Sequence, residues 1–491
     1  MQITTKFAEL ERVGVIDIGS NSVRLVVFDG AARSPAYFFN EKLLCGLGRG
    51  ISKTGVLHPL GRKRAIQAME RFAALAASFD VQSLEAVATA AVRDAGDGPA
   101  FCAEVRVKTG IEIRVISGQD EARYSAQGVL LGRPEATGLV SDLGGASMEL
   151  AAIDSGAVGM CLTSPLAPLR LTDVKGDVDK AIRKEIRGLL SQIGGDHKTL
   201  HLVGGSYRAI AKIDMARRSY PLEVLHEYTL SVDQLNETLD WIDSAKDGDL
   251  SAFSSSTVAR LTLVPMAARI LRQLVTLFAP EVISVSSYGL REGMLYERMP
   301  PELRRRDPLI EACRFMERSL ARFAGFGEHL AAWVAPLLPD DPKVQRLVLA
   351  AGLLHDVSWR SDPNSRAEEC FDNAMRGNLG GLRHRARVTL AMALLHRYRK
   401  NGKLEKYKKL KHLLTEEEQI VAQVIGQAMR LGASLAAGDA NVLRKAKLHQ
   451  STTHLELRLD PSVTIYSGEI VETRLHELAA CMGCQGIVKV Q

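Results

Sequence analysis

Gly14 to Asp29 reads GVIDIGSNSVRLVVFD: an apolar run, a turn of Gly, Ser and Asn, and a second run that alternates. Two strands closed by a tight polar turn are the expected structure. The layout returns further along, where Val140 to Asp154 reads VSDLGGASMELAAID. Four positions agree at a constant offset of 125, pairing Asp17 with Asp142, Gly19 with Gly144, Ser22 with Ser147 and Leu25 with Leu150. The chain therefore carries two copies of one hairpin, each at the head of its own half.

Around the hairpins, short β-rich runs (Glu85–Thr89, Glu112–Ile116, Leu200–Val203, Val282–Ser286) alternate with helical segments at Gly61–Phe79, Asp120–Leu131, Val178–Ile193 and Thr257–Phe278. This alternation predicts an α/β fold with largely buried sheets. After Pro300 and Pro301 the apolar residues fall at helical spacing, with strand signals only at Leu455–Leu459 and Val463–Tyr466. A boundary near residue 302 thus separates an α/β front from a mostly helical back. A length of 491 residues with 46% hydrophobic content calls for several domains.

Bulk properties exclude some classes. No stretch approaches about 18 uninterrupted apolar residues, and Met1 to Arg12 mixes charges with apolar residues, so neither a membrane span nor a signal peptide is expected and the protein is read as cytoplasmic. Seven scattered cysteines do not make a disulfide framework; Cys481 and Cys484 form a lone CxxC followed by an end expected to be unstructured. Residues 301–491 hold 29 Lys and Arg against 22 Asp and Glu (+7), leaving 34 against 35 (−1) before them. Two clusters carry much of the excess: Arg383, Arg385 and Arg387, then eight cations from Arg397 through Lys411. Such a field could draw a polyanion, or could be an ordinary solvated helix face; no specific nucleic acid is expected.

An Asp-x-Gly-x-x-Ser turn suits phosphate, because glycine lets backbone N–H groups come close and the hydroxyl adds a donor. The Asp would repel phosphate directly and is better placed to hold a divalent cation or a water. Two more glycine turns follow strands: Val203-Gly204-Gly205-Ser206 opens a helix at Tyr207–Ile213, and Ser287-Tyr288-Gly289 precedes one around Leu290–Tyr296. Free N–H groups at such a helix start also suit phosphate; the alternative is close packing of strand on helix.

These segments together resemble the exopolyphosphatase and guanosine pentaphosphate phosphatase family. The matching runs, in order, are Val15–Asp29, Ala88–Asp94 (ATAAVRD), Ile116–Ala122 (ISGQDEA), Val140–Leu150 and Leu202–Arg208 (LVGGSYR). The resemblance implies two domains of the actin, sugar-kinase and heat-shock-70 superfold, at residues 1–128 and 129–302, closing over the substrate. A mostly α-helical HD-like domain at 303–491 follows. It also implies that Glu121 is the general base, that Asp142 and Glu149 hold magnesium, with manganese as the alternative, and that Asp17 contacts metal or water. Asn21, Ser22, Arg24, Arg93, Gly144, Gly145 and Ser147 would surround the phosphates, with Gly204, Gly205 and Ser206 at the third turn. Asp120, the acid beside Glu121, is not separable from it by sequence.

The second motif departs from the family's usual Gly-Gly-Gly-Ser-Thr-Glu: Ala146 stands at the third glycine and Met148 at the threonine. Ser206 replaces a common threonine. The helical part carries Gly352-Leu353-Leu354-His355-Asp356 with His329, His384 and His396, but Ser434 stands where an HD metal site needs its late Asp, so a degenerate HD domain is expected. Its apolar stretches Leu347–Leu354 and Val388–Leu395 are candidates for a homodimer interface. The expected activity is metal-dependent hydrolysis of terminal phosphate from inorganic polyphosphate. Guanosine pentaphosphate is the alternative substrate, and a phosphotransferase or a non-catalytic sensor are rivals of other classes.

Overall fold

Strand β1 (Val13–Ile18) pairs antiparallel with β2 (Ser22–Phe28) in the computed structural model, which describes residues 11–30, 32–171, 176–245, 250, 261–399 and 407–491. β2 pairs antiparallel with β3 (Tyr37–Leu44), while β1 pairs parallel with β4 (Ser83–Ala88) and β4 with β5 (Ile113–Val115). The second hairpin repeats this plan. β6 (Gly138–Leu143) and β7 (Met148–Asp154) are antiparallel, β7 pairs with β8 (Ala157–Ser164), and β6 runs parallel to β9 (Thr199–Val203). β9 is in turn parallel to β11 (Val282–Val285), and β10 (Tyr228–Ser231) adds an antiparallel edge. The orders β3-β2-β1-β4-β5 and β8-β7-β6-β9-β11 are the same path drawn twice.

Strand periodicity then decides what each side chain faces. In β1 and β2, Val13, Val15, Val26 and Phe28 join one core cluster, while Ile16, Ile18, Val23, Leu25 and Val27 join another. In β6 and β7, Val140, Ala151 and Ile153 join the first of these, while Leu139, Leu143, Met148 and Leu150 turn to a third cluster. One core thus lies between the two sheets. By parity Asp17, Arg24, Asp142 and Glu149 share its face, at the strand ends where the apolar layer gives way. Met148 points the other way and is fully buried, so the missing threonine removes no donor from that face. Ala146 has no left-handed backbone and accepts its methyl without strain.

Helix α1 (Pro59–Ser78) covers the first sheet, and α2 (Gly98–Thr109) packs beside it. Helix α3 (Gly118–Gly132) runs unbroken through the expected 128/129 division. The second sheet is backed by α4 (Val178–Ile193), α5 (Gly205–Arg217) and α6 (Val264–Phe278). Residues 1–10, residues 257–260 of the expected fourth helix and residues 400–406 of the second basic cluster lie outside the described part. Helix α7 (Leu290–Arg298) packs on α3 at backbone contact: a Cβ on Gly293 would stand 1.7 Å from the Tyr124 carbonyl oxygen, and one on Gly128 would stand 2.3 Å from that of Gly289. Only glycine fits there.

The chain divides into two units at Arg306/Asp307. The second unit contains α8 (Pro308–Leu320), α9 (Phe326–Val334), α10 (Pro342–Leu354), α11 (Arg366–Arg376), α12 (His384–Tyr398), α13 (Glu416–Ala436) and α14 (Glu469–Cys481). It also has a small sheet, β12 (Ala446–Gln450), β13 (His454–Leu459) and β14 (Gln485–Val490). Four expectations are corrected here. The residues after Cys484 are not unstructured, since β14 runs parallel to β13 with Gln485 opposite His454. Val463–Tyr466 lies in a short 3-10 helix, because Asp460 caps it and Pro461 cannot donate to a strand ladder. Leu347–Leu354 and Val388–Leu395 are interior, which leaves them no interface to form. Arg387 belongs to no basic surface: it is buried, its guanidinium donating to the carbonyls of Ala374, Gly377 and Leu379. No helix among the described residues is long and apolar enough to cross a membrane.

Candidate active site

The two hairpin turns close in the same way. The Gly19 N–H donates to Ser22 O at 3.0 Å, and the Gly144 N–H donates to Ser147 O at 3.0 Å. Across the strands Asp17 faces Arg24, and Asp142 faces Glu149. Arg24 and Glu149 are themselves related by the 125-residue offset, so the repeat has placed a cation in one copy and an acid in the other. The third turn requires its glycine: Gly204 has φ of 103°, and a Cβ there would meet Leu143 O at 2.6 Å and Asp142 Oδ1 at 2.9 Å. The backbone N–H groups that begin α5 are thereby brought against the second hairpin.

These turns line one cleft enclosing about 230 Å³. Asp17, Asn21, Ser22, Arg24, Glu121, Asp142, Gly144, Gly145, Ser147, Gly204, Gly205 and Ser206 all border it. Of the candidate residues only Arg93 and Glu149 stand back from its surface, and both reach Glu121. Arg93 Nη1 lies 3.6 Å from Glu121 Oε2, and the Glu149 charge acts on Glu121.

Helix α3 separates the two adjacent acids. Ser117 caps the helix by accepting from the Asp120 N–H at 3.0 Å, and its hydroxyl donates to the Asp120 carboxylate. That bond holds the half-exposed Asp120 below the usual carboxylate range. Glu121 turns inward and is buried. Burial, then the charges of Glu149 and Asp142, raise its carboxyl well above the ordinary value, with Arg93 opposing. Burial likewise raises Asp142, against a hydrogen bond from Ser125. Glu149 is pushed up to about 8 by burial and by Asp142, although Thr163 Oγ1 donates to it at 3.2 Å.

Cations gather on the opposite side. Arg291 Nη1 donates to Asp17 Oδ2 at 2.9 Å, and Arg208 Nε to the Ser286 carbonyl at 2.9 Å. Burial, then the charge of Arg291, push Arg24 down to about 10, and burial also lowers Arg208. Three guanidinium groups, offset in part by the buried Glu292 carboxylate and by Asp17, make this side of the cleft suited to a multiply charged anion. Arg208, Arg291 and Ser125 were not selected from sequence. Their signals were positional: Arg208 and Arg291 follow the two glycine turns by a few residues, and Ser125 is one helical turn beyond Glu121.

The acid side fits a hard divalent cation. Glu121 Oε2 and Glu149 Oε2 are buried without a hydrogen-bond partner among the described residues, and beyond burial Glu149 and Asp142 raise Glu121 while Asp142 raises Glu149. No three His, Cys, Asp or Glu there are disposed as a closed metal site, so a cation held by Asp142 and Glu149 would take its remaining oxygens from phosphate and water.

Glu149 has a consequence for stability. Between its ordinary value near 4.5 and its folded value near 8 the folded protein holds a proton that the unfolded chain releases. Its contribution is therefore fully present below about pH 4.5, is lost as pH rises through 8, and changes at up to about 1.4 kcal/mol per pH unit. The thermal midpoint is expected to fall across this window in metal-free buffer, and Glu149→Gln to flatten the fall. An unchanged slope in the variant would remove Glu149 as its source.

The sequence model of the Ppx/GppA phosphatase family matches residues 26–302, and that of the exopolyphosphatase C-terminal domain matches residues 322–488. Exopolyphosphatase 1 of Mycobacterium tuberculosis is 25% identical over 307 residues, covering 59% of this chain and 89% of that protein. The guanosine-5'-triphosphate,3'-diphosphate pyrophosphatase of Vibrio campbellii is 24% identical over 372 residues, covering 71% and 72%. The crystal structure of the Aquifex aeolicus member of the Ppx/GppA family aligns with a TM-score of 0.52 and 26% identity, over 58% of this chain and 97% of that one.

Proposed function

The chain belongs to the Ppx/GppA phosphatase family and is a hydrolase of phosphoanhydride bonds, and from that premise we propose that it removes terminal phosphate from inorganic polyphosphate. The carrying observation is the division of one cleft into three guanidinium groups and a buried carboxylate, Glu121, with a phosphate-gripping turn from each half between them. A cleft of about 230 Å³ is below the roughly 300–1,000 Å³ typical of sites for larger organic ligands, and suits the end of a phosphate chain. Guanosine pentaphosphate is the second reading, favoured by the likeness to the Vibrio campbellii enzyme over 71% of the chain.

In this mechanism Arg24, Arg208 and Arg291 bind the phosphate oxygens. The N–H groups of the Gly19, Gly144 and Gly204 turns, with Ser22, Ser147 and Ser206, fix the terminal group for in-line attack. Glu121 orients a water and accepts its proton, a task helped by its raised affinity for protons. Arg93 positions Glu121. The leaving phosphate is already a stable anion and needs no general acid. Asp142 and Glu149 would hold magnesium or manganese, which supplies neutralisation of phosphate charge.

The second unit is assigned as an HD-like remnant. Its Asp356 is clasped by Arg322, with Nε donating at 2.9 Å and Nη2 at 2.5 Å, and its buried His355 is held neutral, pushed down to about 4 by burial. A carboxylate satisfied by a guanidinium is poorly placed to hold metal.

Phosphate release from long polyphosphate, tripolyphosphate, guanosine pentaphosphate and ATP, measured with magnesium present and after chelation, tests the reading. The expected order places long polyphosphate first, with no turnover after chelation. Four inert substrates combined with retained polyphosphate binding would replace hydrolysis by a transferase or a sensor.

A further inference from the structure

Glu292 is a buried acid on the cationic side of the cleft that takes no part in the mechanism above. It follows Arg291 in the first turn of α7 and is only 2% exposed. Its carboxylate accepts from the Gly289 N–H at 2.7 Å and from the Tyr37 hydroxyl at 2.9 Å. Both donors are uncharged. The first ties the carboxylate to the turn that precedes α7, and the second comes from the head of β3, 255 residues away along the chain. The neighbouring guanidinium groups meanwhile bond elsewhere: Arg291 Nη1 to Asp17 at 2.9 Å, Arg208 Nε to the Ser286 carbonyl at 2.9 Å, and Arg24 Nε to Asn40 Oδ1 at 2.7 Å.

Those bonds fix one negative charge among three positive ones. Arg208 grips the same turn as Glu292 from the other side, through the Ser286 and Tyr288 carbonyls, and a Cβ on Gly289 would stand 3.8 Å from Arg208 Nη2. Burial disfavours the charged form of all three guanidinium groups. After it, Glu292 is the strongest charge acting on Arg208 and on Arg291, and it follows only Arg291 in acting on Arg24. In a desolvated site a carboxylate acts over such distances without direct contact. A guanidinium locked into a bidentate pair has spent its donors, whereas one compensated from a distance keeps N–H groups for phosphate.

We infer that Glu292 is the internal counter-ion of the phosphate receptor, a positioning residue that holds Arg24, Arg208 and Arg291 together without occupying their donors and limits their hold on phosphate. The inference rests on the reading of the cleft as a receptor for the end of a phosphate chain. In the empty cleft the carboxylate offsets part of the repulsion among the cations. With phosphate bound it opposes the anion, and this opposition restrains affinity and favours the departure of orthophosphate.

Calorimetric titration with tripolyphosphate in metal-free buffer, and product inhibition by orthophosphate during turnover, test the role by comparing wild type with Glu292→Gln and Glu292→Asp. Glu292→Gln keeps the shape of the side chain and loses its charge. It should bind tripolyphosphate more tightly by roughly tenfold or more, with a matching fall in the inhibition constant of orthophosphate and a lower kcat as product release slows. Glu292→Asp keeps the charge and should leave both affinities within a few-fold of wild type. Without anion Glu292→Gln should melt below wild type, and orthophosphate should restore most of the difference. The inference is overturned if Glu292→Gln binds tripolyphosphate no more tightly than wild type, if Glu292→Asp shifts the affinity as far as Glu292→Gln, or if the melting deficit of Glu292→Gln persists in orthophosphate. A wild-type protein that binds neither anion would instead remove the receptor reading, and this role of Glu292 with it.

Discussion

Glu121→Gln is expected to lower kcat for phosphate release by about a thousandfold, within the range of roughly 10²–10⁴ assigned to positioned proton transfer. The amide keeps the shape of the carboxyl and cannot accept a proton from water. Glu121 is buried beside Glu149 and Asp142, whose charges raise it, so removing its charge relieves repulsion and the thermal midpoint should hold or rise. Loss of rate without loss of stability sets this substitution apart from a damaged fold. Asp120→Asn supplies the contrast: its carboxylate is half-exposed, accepts from the Ser117 hydroxyl and pairs with Arg123, so turnover should stay within a few-fold of wild type. Steady-state rates and melting curves of the two variants decide the matter, and a Glu121→Gln enzyme retaining a tenth of its activity would refute the general-base role.

That contrast marks the limit of what the sequence carried. Asp120 and Glu121 are neighbours of the same chemistry, and only the phase of α3 about its axis makes one the half-exposed partner of the Ser117 cap and the other a buried carboxylate. The hairpins were legible because their information is local: Asp17, Gly19 and Ser22 recur at Asp142, Gly144 and Ser147, and period-two alternation assigns each strand residue to a face. The same parity shows why Met148 is harmless, since its side chain belongs to the outer core. What stayed hidden was set by long-range packing. Arg291 meets Asp17 from 274 residues away, through a helix held against α3 by Gly128 and Gly293. The first basic cluster misled at one residue for the converse reason, since charge counting cannot see that Arg387 spends its donors on buried carbonyls. β14 escaped because its strand is completed by β13, not by its own composition.

Arg208→Met should raise KM for polyphosphate by roughly a hundredfold, the equivalent of about 3 kcal/mol for loss of one partner from a closed ion contact. Among the described residues its guanidinium bonds the Ser286 and Tyr288 carbonyls; burial disfavours its charge, Glu292 supports it and Arg291 acts on it as a like charge. The two carbonyls leave this buried guanidinium without a directly bonded anion, and a phosphate would supply that charge-assisted contact. Methionine fills much of the same volume and removes the charge, so the variant should fold. It should also lose most of the rise in melting temperature that tripolyphosphate gives the wild-type protein. If Arg208 binds ground-state and transition-state oxygens alike, KM moves and kcat holds within a few-fold. A collapse of kcat with KM unchanged would mean instead that the guanidinium meets only charge that develops during transfer, and the receptor for the resting chain would then have to be Arg24 and Arg291 alone.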